Sequence, residues 1–400
     1  MKPDYEVIVV GAGPGGASAA RSCAQAGLKT LLIEKEKVPR YKPCGGCLSP
    51  KTLRLLPFDL GSTLENRIFA AKFTYCGKEP VSIQAESPMA YMVMRDRFDQ
   101  FLTEKSLEQG VDLLEGNKVA RIGEREGGIE IELPGGKRLC CRYLIGADGP
   151  ESVIARSFSL KPPRENGGGM ALESEIPFES VSEFPEKDLS CIHLDFGGVP
   201  NGYGWVFPKR DCLSIGIGGM FQAGEKLNPR KYFNTFIEKL PYLRRVEVRH
   251  ILGHPLPAFY DERQKLSRGN VLLVGDAAHL MDPLMGEGIY YAIKSGMLAA
   301  EAILQSKEEG GFPSEPYEAS IRDHLFANLK WALYFSRFVF LFTRLAYHTL
   351  KRYPELANLY VQVLEGEETY QGFIGKVKDR MKDLLGGQLS KKISRAMASV

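Results

Sequence analysis

Two cysteines around a pair of glycines are the first residues that could do chemistry. Cys44 and Cys47 occur in the run KPCGGCLSP, residues 42–50. Two thiols at this spacing are typical of half a zinc site, a redox-active dithiol or a structural pair. No second CxxC follows, so we expect no metal site, while the other two interpretations stay open. The glycines Gly45 and Gly46 would let the backbone pass close to a flat ring.

Large aromatic side chains alternate with other residues in PNGYGWVFP, residues 200–208. Successive side chains of a strand point to opposite faces, so we expect Tyr203, Trp205 and Phe207 to share one face. That face could line a pocket for an apolar ligand, or it could be the half-buried side of a sheet. The alternation alone does not decide between these two interpretations.

Glycines near the N-terminus predict a phosphate-binding turn. The β-branched run Glu6–Val10 leads into a loop and then an Ala-rich helical segment, and the loop contains Gly11, Gly13, Gly15 and Gly16. In such a loop one glycine permits the turn, another lets the backbone approach a pyrophosphate, and a third packs helix on strand. The N–H groups and dipole at the helix N-terminus attract the phosphates. The next strand, Thr30–Ile33, ends in Glu34, where an acid can bind the ribose hydroxyls of an adenosine.

Two further strand ends favour FAD over NAD as the bound dinucleotide. One apolar strand ends at Asp148-Gly149, and another ends at Gly275-Asp276. The sequence Gly286-Glu287-Gly288 then precedes a helix that starts at Ile289. Several such turns suit a long cofactor, because one acid can bind the ribityl hydroxyls while a helix N-terminus faces the pyrimidine edge of the flavin.

These three motifs, in this order between residues 7 and 296, resemble the FAD-dependent class that includes aromatic hydroxylases, flavin halogenases and geranylgeranyl reductases. The resemblance implies that the first motif binds the ADP half of FAD and that the Asp148 turn lies at the pyrophosphate. It also implies that Asp276 contacts the ribityl chain and that Gly286–Ile289 line the isoalloxazine ring.

Two positions outside the motifs are assigned by the same resemblance. Arg95, in MRDRF, would lie at a helix start near the FAD phosphates, with a solvated helix charge as the alternative. Ala120 would lie near the adenine.

The Cys-Gly-Gly run resembles a signature of geranylgeranyl reductases, in which this loop passes beside the flavin. The aromatic run resembles their PxxYxWxFP element, which lines an isoprenoid pocket, and is also close to the WxWxIP element of flavin halogenases. The spacing from Ser152 to Arg156 is one residue longer than is usual in the hydroxylases. Together these features imply a reductase that saturates carbon–carbon double bonds of a geranylgeranyl (prenyl) chain in an isoprenoid diphosphate or ether lipid. Hydride would come from N5 of reduced FAD, and Cys47 or Cys44 could donate the proton.

Two other functions remain as alternatives. One is a monooxygenase or halogenase of the same superfamily, although the lysine that a halogenase carries near its substrate is not identifiable from the sequence. The other is a non-catalytic lipid carrier with structural FAD. Since no second nucleotide-binding motif is visible, we expect either NAD(P)H or a ferredoxin-like protein as the transient electron donor.

Positioning these residues requires a mixed α/β (α+β) architecture. A chain of 400 residues exceeds the ~100–200 residues of one ordinary domain. We expect a discontinuous Rossmann-like FAD-binding domain with a parallel sheet, formed by residues 1–70, 90–165 and 265–310. Residues 70–90 and 165–265 would form an antiparallel-sheet substrate domain over the flavin. C-terminal helices, residues 311–400, would close the cavity.

Composition excludes several classes of protein. A hydrophobic content of 44% with 25% charged residues argues against wholesale disorder. The net charge of +3 is too small to indicate nucleic-acid binding. The eight cysteines are scattered rather than arranged as a disulfide framework, and the N-terminus begins without a signal-peptide pattern. We therefore expect a cytoplasmic protein.

The C-terminal quarter suggests contact with a membrane surface as an alternative to simple packing. As one helix, residues 330–351 would place Lys330, Arg337, Arg344, His348 and Lys351 on one stripe beside a wide apolar face. That face would pack on the protein or rest on a membrane, with the protein bound peripherally. From residue 375 onward the tail holds seven Lys/Arg and two Asp, which indicates either a solvated end or contact with anionic lipid.

Overall fold

The computed structural model describes residues 3–160, 168–221 and 228–380. Its strands are β1 (Tyr5–Val10), β2 (Thr30–Ile33), β3 (Cys47–Leu48), β4 (Leu64–Ile68), β5 (Ala70–Tyr75), β6 (Lys78–Gln84), β7 (Ala90–Val93), β8 (Asp112–Leu114), β9 (Arg121–Arg125), β10 (Gly128–Glu132), β11 (Arg138–Gly146), β12 (Gly168–Pro177), β13 (Cys191–Phe196), β14 (Gly202–Pro208), β15 (Cys212–Phe221), β16 (Leu252–Leu256), β17 (Ser267–Arg268) and β18 (Val271–Leu273).

The helices are α1 (Pro14–Gln25), α2 (Pro50–Leu55), α3 (Arg95–Leu107), α4 (Val153–Ser157), α5 (Pro229–Glu238), α6 (Ile289–Glu309), α7 (Ser314–Ile321), α8 (Ala327–Leu341), α9 (Thr343–Arg352) and α10 (Glu355–Glu365). A π-type turn, Arg322–Phe326, joins α7 to α8, and residues 370–380 are also helical.

The first sheet has the order β17-β18-β11-β1-β2-β8, with the β9–β10 hairpin attached to β11. Strands β18, β11, β1, β2 and β8 run parallel. Val10 is paired with both Ile33 and Gly146, so β1, β2 and β11 end together at one edge of the sheet. Every motif that followed a strand in the sequence therefore reaches the same edge, where α/β proteins bind ligands.

Helices α1 and α6 pack tightly against each other because small residues face each other. A Cβ atom on Gly296 would lie 2.3 Å from the carbonyl oxygen of Gly15, and one on Gly15 would lie 3.0 Å from that of Ala292. This close contact brings the N-terminal turns of the two helices side by side.

The second sheet has the order β16-β12-β15-β14-β13-β5-β6. Its strands pair antiparallel as expected, except that β13 and β5 run parallel, with Leu194 opposite Phe73. These two strands come from separate passages of the chain, 70–75 and 191–196, so no hairpin forces them to be antiparallel. The mixed α/β fold class is confirmed with this one departure, while the domain boundaries stay a prediction.

A third, small sheet, β3-β7-β4, was not predicted. Cys47 in β3 pairs with Met92 in β7, and this pairing fixes the C-terminal end of the Cys-Gly-Gly loop. The C-terminal end of the loop is thus part of a β-sheet.

The prediction of one helix over residues 330–351 is wrong. The chain leaves helical geometry at Phe342, with φ −117° and ψ 38°, and α8 and α9 meet at 96°. The hydroxyl of Thr343 donates to the carbonyl of Phe340, which competes with the helical hydrogen bonds at this point. The basic stripe calculated for a straight helix is therefore divided between two helices. Of the tail, residues 381–400 lie outside the described residues.

Among the described residues, no single helix has the length and apolar composition of a membrane span. Two segments, Ser314–Leu341 and Thr343–Arg352, satisfy the length and composition criteria only when they are taken together across the bend.

Candidate active site

The N-terminal glycine loop adopts a geometry that only glycine permits at two positions. Gly11 has φ +105°, and a Cβ there would lie 2.2 Å from the carbonyl oxygen of Ala147. A Cβ on Gly16 would lie 1.8 Å from the carbonyl oxygen of Gly11. The loop thereby lies against the end of β11. Gly13 is the N-cap of α1, and because glycine has no side chain it forms no capping hydrogen bond. The helix N-terminus lines the cavity at Gly13, and the binding of a pyrophosphate there stays a prediction.

Glu34 is buried and holds this loop directly. One carboxylate oxygen accepts the N–H of Ala12 at 2.8 Å, and the other accepts the N–H of Glu36 at 3.2 Å. Arg40 Nε lies 3.3 Å from the first oxygen. The residue therefore lies where a ribose-binding acid is expected, although its described contacts are with the protein.

Arg95 is buried, which overturns the solvated-charge interpretation of this residue. It begins α3, is 5% exposed and forms a two-point ion pair with Asp99, with both distances 2.9 Å. Arg40 also contacts Asp99 at 2.9 Å. Burial by itself would raise the pKa of Asp99, but Arg95 outweighs this effect and lowers the pKa. The Asp99 carboxylate therefore stays charged. Sequence reasoning missed Arg40 and Asp99; the i, i+4 spacing of Arg95 and Asp99 was the available signal.

At the Asp148 turn the neighbouring residues line the cavity, whereas the Asp148 carboxylate forms hydrogen bonds within the protein. Asp148 accepts hydrogen bonds from the Ser152 hydroxyl at 2.5 Å and the Val153 N–H at 2.6 Å, so its side chain caps α4. Ala147 and Gly149 on either side line the cavity described below. Ala120 is exposed and directly precedes β9, and its place near an adenine stays a prediction.

Asp276 lies at the cavity in a charged cluster. Lys42 Nζ lies 2.9 Å from its Oδ2. Burial by itself would raise the pKa of Asp276, but the charge of Lys42 outweighs this effect and lowers the pKa far below its usual range. His254 Nε2 lies 3.8 Å from the same oxygen, and this buried nitrogen has no hydrogen-bond partner among the described residues. Lys42 itself lines the cavity, and sequence reasoning did not predict its ion pair with Asp276.

Gly286 and Gly288 form the approach to α6 as predicted. Gly286 has φ +68°, Gly288 caps the helix without a side-chain hydrogen bond, and Ile289 is its first residue. The hydroxyl of Tyr203 donates to the carbonyl of Met285 at 2.5 Å, which ties this loop to the aromatic strand. The accessible N-terminus of α6 thus faces the same space as the N-terminus of α1.

The Cys-Gly-Gly loop lies directly against the aromatic strand. A Cβ on Gly45 would lie 2.7 Å from the Phe207 ring, and one on Gly46, whose φ is +70°, would lie 2.1 Å from the carbonyl oxygen of Val93. Both cysteines are free thiols. Burial raises the pKa of Cys47 to about 12, so this thiol stays protonated at neutral pH. Cys44 lies beside Arg95.

The aromatic side chains share one face of β14, as predicted. The ring centroids of Tyr203 and Trp205 are 6.5 Å apart, and those of Trp205 and Phe207 are 6.0 Å apart in a stacked arrangement. All three line one cavity of about 470 Å³, within the ~300–1,000 Å³ of ligand pockets. Its wall runs from the Gly13 loop past Gly45 to α8 and α9.

A buried acid that sequence reasoning missed connects this strand to the cysteine loop. Glu173 in β12 accepts the Ser214 hydroxyl at 2.9 Å, and Ser214 in turn accepts the Trp205 indole N–H at 3.3 Å. The other oxygen of Glu173 accepts the backbone N–H of Cys44. Burial raises the pKa of Glu173 to about 7.

The C-terminal helices are fastened to the cavity through Asp282. Its carboxylate accepts the N–H of Met285 at 3.0 Å and the hydroxyl of Tyr370 at 2.6 Å. Tyr370 is also 2.7 Å from the hydroxyl of Tyr360, which lines the cavity. These contacts hold the last helices over the site.

The polar and glycine residues of this cavity fit FAD. Two accessible helix N-termini, at Gly13 and Gly288, suit the pyrophosphate and the pyrimidine edge, and the unpartnered nitrogen of His254 is available for a hydrogen bond. Glycine at 45 and 46 lets the loop pack directly against Phe207 and the backbone of Val93, at the wall of the cavity. Among the described residues, no group of three or more His, Cys, Asp and Glu side chains could hold a metal ion.

The comparisons with known proteins agree with this geometry. The model of the FAD-binding domain family matches residues 4–232 and 237–311. The chain therefore belongs to this family and is an FAD-dependent oxidoreductase, which confirms the predicted cofactor.

Its relatives define the subfamily. The chain is 30% identical to a chloroplastic geranylgeranyl diphosphate reductase of Oryza sativa, over 82% of this chain and 72% of that one. It is 29% identical to a digeranylgeranylglycerophospholipid reductase of Thermoplasma acidophilum, over 80% and 83% of the two chains. A crystal structure of a geranylgeranyl bacteriochlorophyll reductase-like protein of T. acidophilum superposes with a TM-score of 0.78 at 25% identity, covering 94% of this chain and 98% of that one. The chain belongs to the geranylgeranyl reductase family, as its motifs predicted.

Proposed function

We propose that the protein saturates carbon–carbon double bonds of a geranylgeranyl chain, carried by an isoprenoid diphosphate or an ether lipid. The observation that supports this most directly is the stacked wall of Trp205 and Phe207 against Gly45, inside a cavity that continues from the glycine loop to apolar helices. An extended hydrocarbon and a flat cofactor ring can lie side by side in such a space.

Saturation of one double bond needs a hydride at one alkene carbon, which reduced FAD would supply when bound, and a proton at the other. The protein must hold the alkene close to the site of hydride transfer and exclude water. The ring faces of Trp205 and Phe207 would tolerate positive charge that develops on the tertiary carbon. Cys47 and Cys44 stand at the loop beside this wall, and either thiol could provide the proton.

The electrons would come from NAD(P)H or from a ferredoxin-like protein. Whichever donor acts has to reach the cofactor transiently, since the sequence shows one dinucleotide-binding motif. A direct comparison is anaerobic reduction of the holoenzyme by NADPH and by reduced ferredoxin.

Single-turnover reoxidation tests the proposed reaction. Enzyme reduced anaerobically is mixed with geranylgeranyl diphosphate or with an unsaturated archaeal-type ether lipid, dispersed in detergent. We expect the oxidised flavin spectrum to return, with a gain of two hydrogens in the product for each bond reduced. Reoxidation by oxygen alone, with an aromatic compound hydroxylated or halogenated, would instead identify the alternative oxygen-dependent chemistry.

A further inference from the structure

The bend between α8 and α9 exposes a compact apolar surface. Leu341, Phe342 and Leu345 are 65%, 37% and 50% exposed, respectively. We refer to these three residues as the corner patch. They lie where two helices meet at 96°, so they form a protruding corner rather than the side of a long helix.

Positive charge surrounds the corner patch. Residues 324–354 contain five Lys/Arg and two His, and no Asp or Glu. Lys330 and Lys351 form ion pairs with Glu262 and Glu79 at each end of this segment. Arg337, Arg344 and His348, nearer the corner, are exposed. This distribution complements a negatively charged surface.

The corner patch also borders the mouth of the cavity. Leu345 is half exposed and at the same time lines the cavity, together with Phe338 and Ala346 from the two helices. The cavity therefore reaches the surface between α8 and α9. Deeper along α8, Leu329 and Ala332 are fully buried, so this part of the helix packs on the protein while the corner protrudes from it.

We propose that the corner patch and its basic surroundings dock the protein on an anionic lipid bilayer, with the cavity mouth facing the lipid. This inference rests on the proposed function, because a bilayer-resident prenyl lipid could then enter the cavity without crossing water. The apolar side chains would enter the boundary between headgroups and acyl chains, as in interfacial helices. The ten residues of α9 span roughly 15 Å, which suits a shallow position better than the ~30 Å hydrocarbon core.

Vesicle flotation of the full-length holoenzyme tests this docking. The probes are vesicles of phosphatidylcholine alone and of phosphatidylcholine mixed with phosphatidylglycerol. We expect binding to the anionic vesicles, reduced by added salt. The combined variant Leu341→Ser, Phe342→Ser should bind roughly tenfold more weakly or worse, because it removes two side chains that the lipid would bury.

Matched variants separate docking from loss of the fold. Phe312 is 61% exposed and lies outside the α8–α9 region, so Phe312→Ser should retain full vesicle binding. Arg344→Gln should weaken binding mainly at low salt. FAD content and circular dichroism of each variant report folding, and turnover of a detergent-dispersed prenyl substrate should stay near the parent value in Leu341→Ser, Phe342→Ser.

Three results would overturn the docking proposal. One is that the parent protein does not bind anionic vesicles, and another is that the combined variant binds them as well as the parent does. The third is a patch-dependent dimer in sedimentation velocity, which would assign the corner to a second copy of this chain. Failure of detergent-dispersed prenyl substrate to reoxidise the reduced parent enzyme would refute the proposed function, and vesicle binding would still decide docking independently.

Discussion

Glu173 Oε2 accepts the backbone N–H of Cys44, across 129 positions of sequence. The same side chain reaches Trp205 through Ser214. One buried carboxyl group therefore joins the cysteine loop to the aromatic wall. Its protonation state therefore affects the stability of the fold.

Titration of Glu173 should make the protein less stable as the pH rises toward and above 7. Burial raises the pKa of Glu173 from 4.5 to about 7 in the folded state. The folded state therefore binds this proton more tightly than the unfolded chain does, so the stabilisation is full below about pH 4.5 and is lost as the pH rises through 7. Glu173→Gln should remove up to about 3 kcal/mol of this pH dependence.

Urea unfolding at pH 5 and pH 8 measures this effect on the free energy of unfolding. Glu186→Gln, at an exposed acid, serves as the control and should keep the parent's pH dependence. An equally steep fall in stability between the two pH values in Glu173→Gln would show that another group is responsible.

Glu34→Ala should weaken FAD binding by about 1–3 kcal/mol. The predicted ribose contact would be lost, and the N–H of Ala12 would lose its acceptor, so the glycine loop would also be less well held. Reconstitution of the apoprotein with FAD, followed by flavin fluorescence, gives the affinity. Glu36→Ala, at an exposed neighbour, should bind as the parent does. If Glu34→Ala also retains the parent affinity, Glu34 has no part in the cofactor site.

Trp205→Phe should reduce turnover of a prenyl substrate far more than it reduces FAD content. The change shortens the aromatic wall and removes the indole N–H that Ser214 accepts, while it keeps an apolar ring in the strand. Trp205→Ala should likewise reduce turnover more than FAD content, but it should also lower the free energy of unfolding by about 3–5 kcal/mol, as is usual for a buried Trp. Trp331→Phe is the matched control, because Trp331 is the second of the two tryptophans and is part of a different cluster. Failure of Trp205→Phe to fold would instead assign the strand a structural role.

The parts of the fold that sequence predicted are those encoded locally. A β-branched run followed by glycines identifies a strand end, and the three strand ends marked by Gly11, Asp148 and Asp276 do meet at one sheet edge. The alternation in residues 203–207 likewise needs only the period of a strand. Each of these signals lies within a few residues, where backbone geometry dominates.

The parts that sequence did not predict depend on contacts between distant positions. Lys42 and Asp276 are 234 positions apart, and neither sequence neighbourhood indicates the other. The sequence around Glu173 predicts an ordinary strand residue, because it indicates neither the burial of this side chain nor its hydrogen-bond partners. The break at Phe342 had no Pro or Gly to mark it, so an apolar helical pattern continued through it.

Cys47 should matter more than Cys44 in the reductive step, and neither should be needed to load or reduce FAD. Cys47 follows Gly46 at the aromatic wall, and β3 fixes its position. With a pKa of about 12, its thiol is protonated throughout the neutral range. If Cys47 donates the proton, the titration of this group should change the rate of prenyl-driven reoxidation little between pH 6 and 9.

The comparison is single-turnover reoxidation of Cys47→Ser and Cys44→Ser, both with full flavin content, and slow reoxidation in one of them identifies the important thiol. Parent rates in both would eliminate the cysteines, and Tyr360, which lines the cavity and is hydrogen-bonded to Tyr370, would be the next donor to replace by Phe.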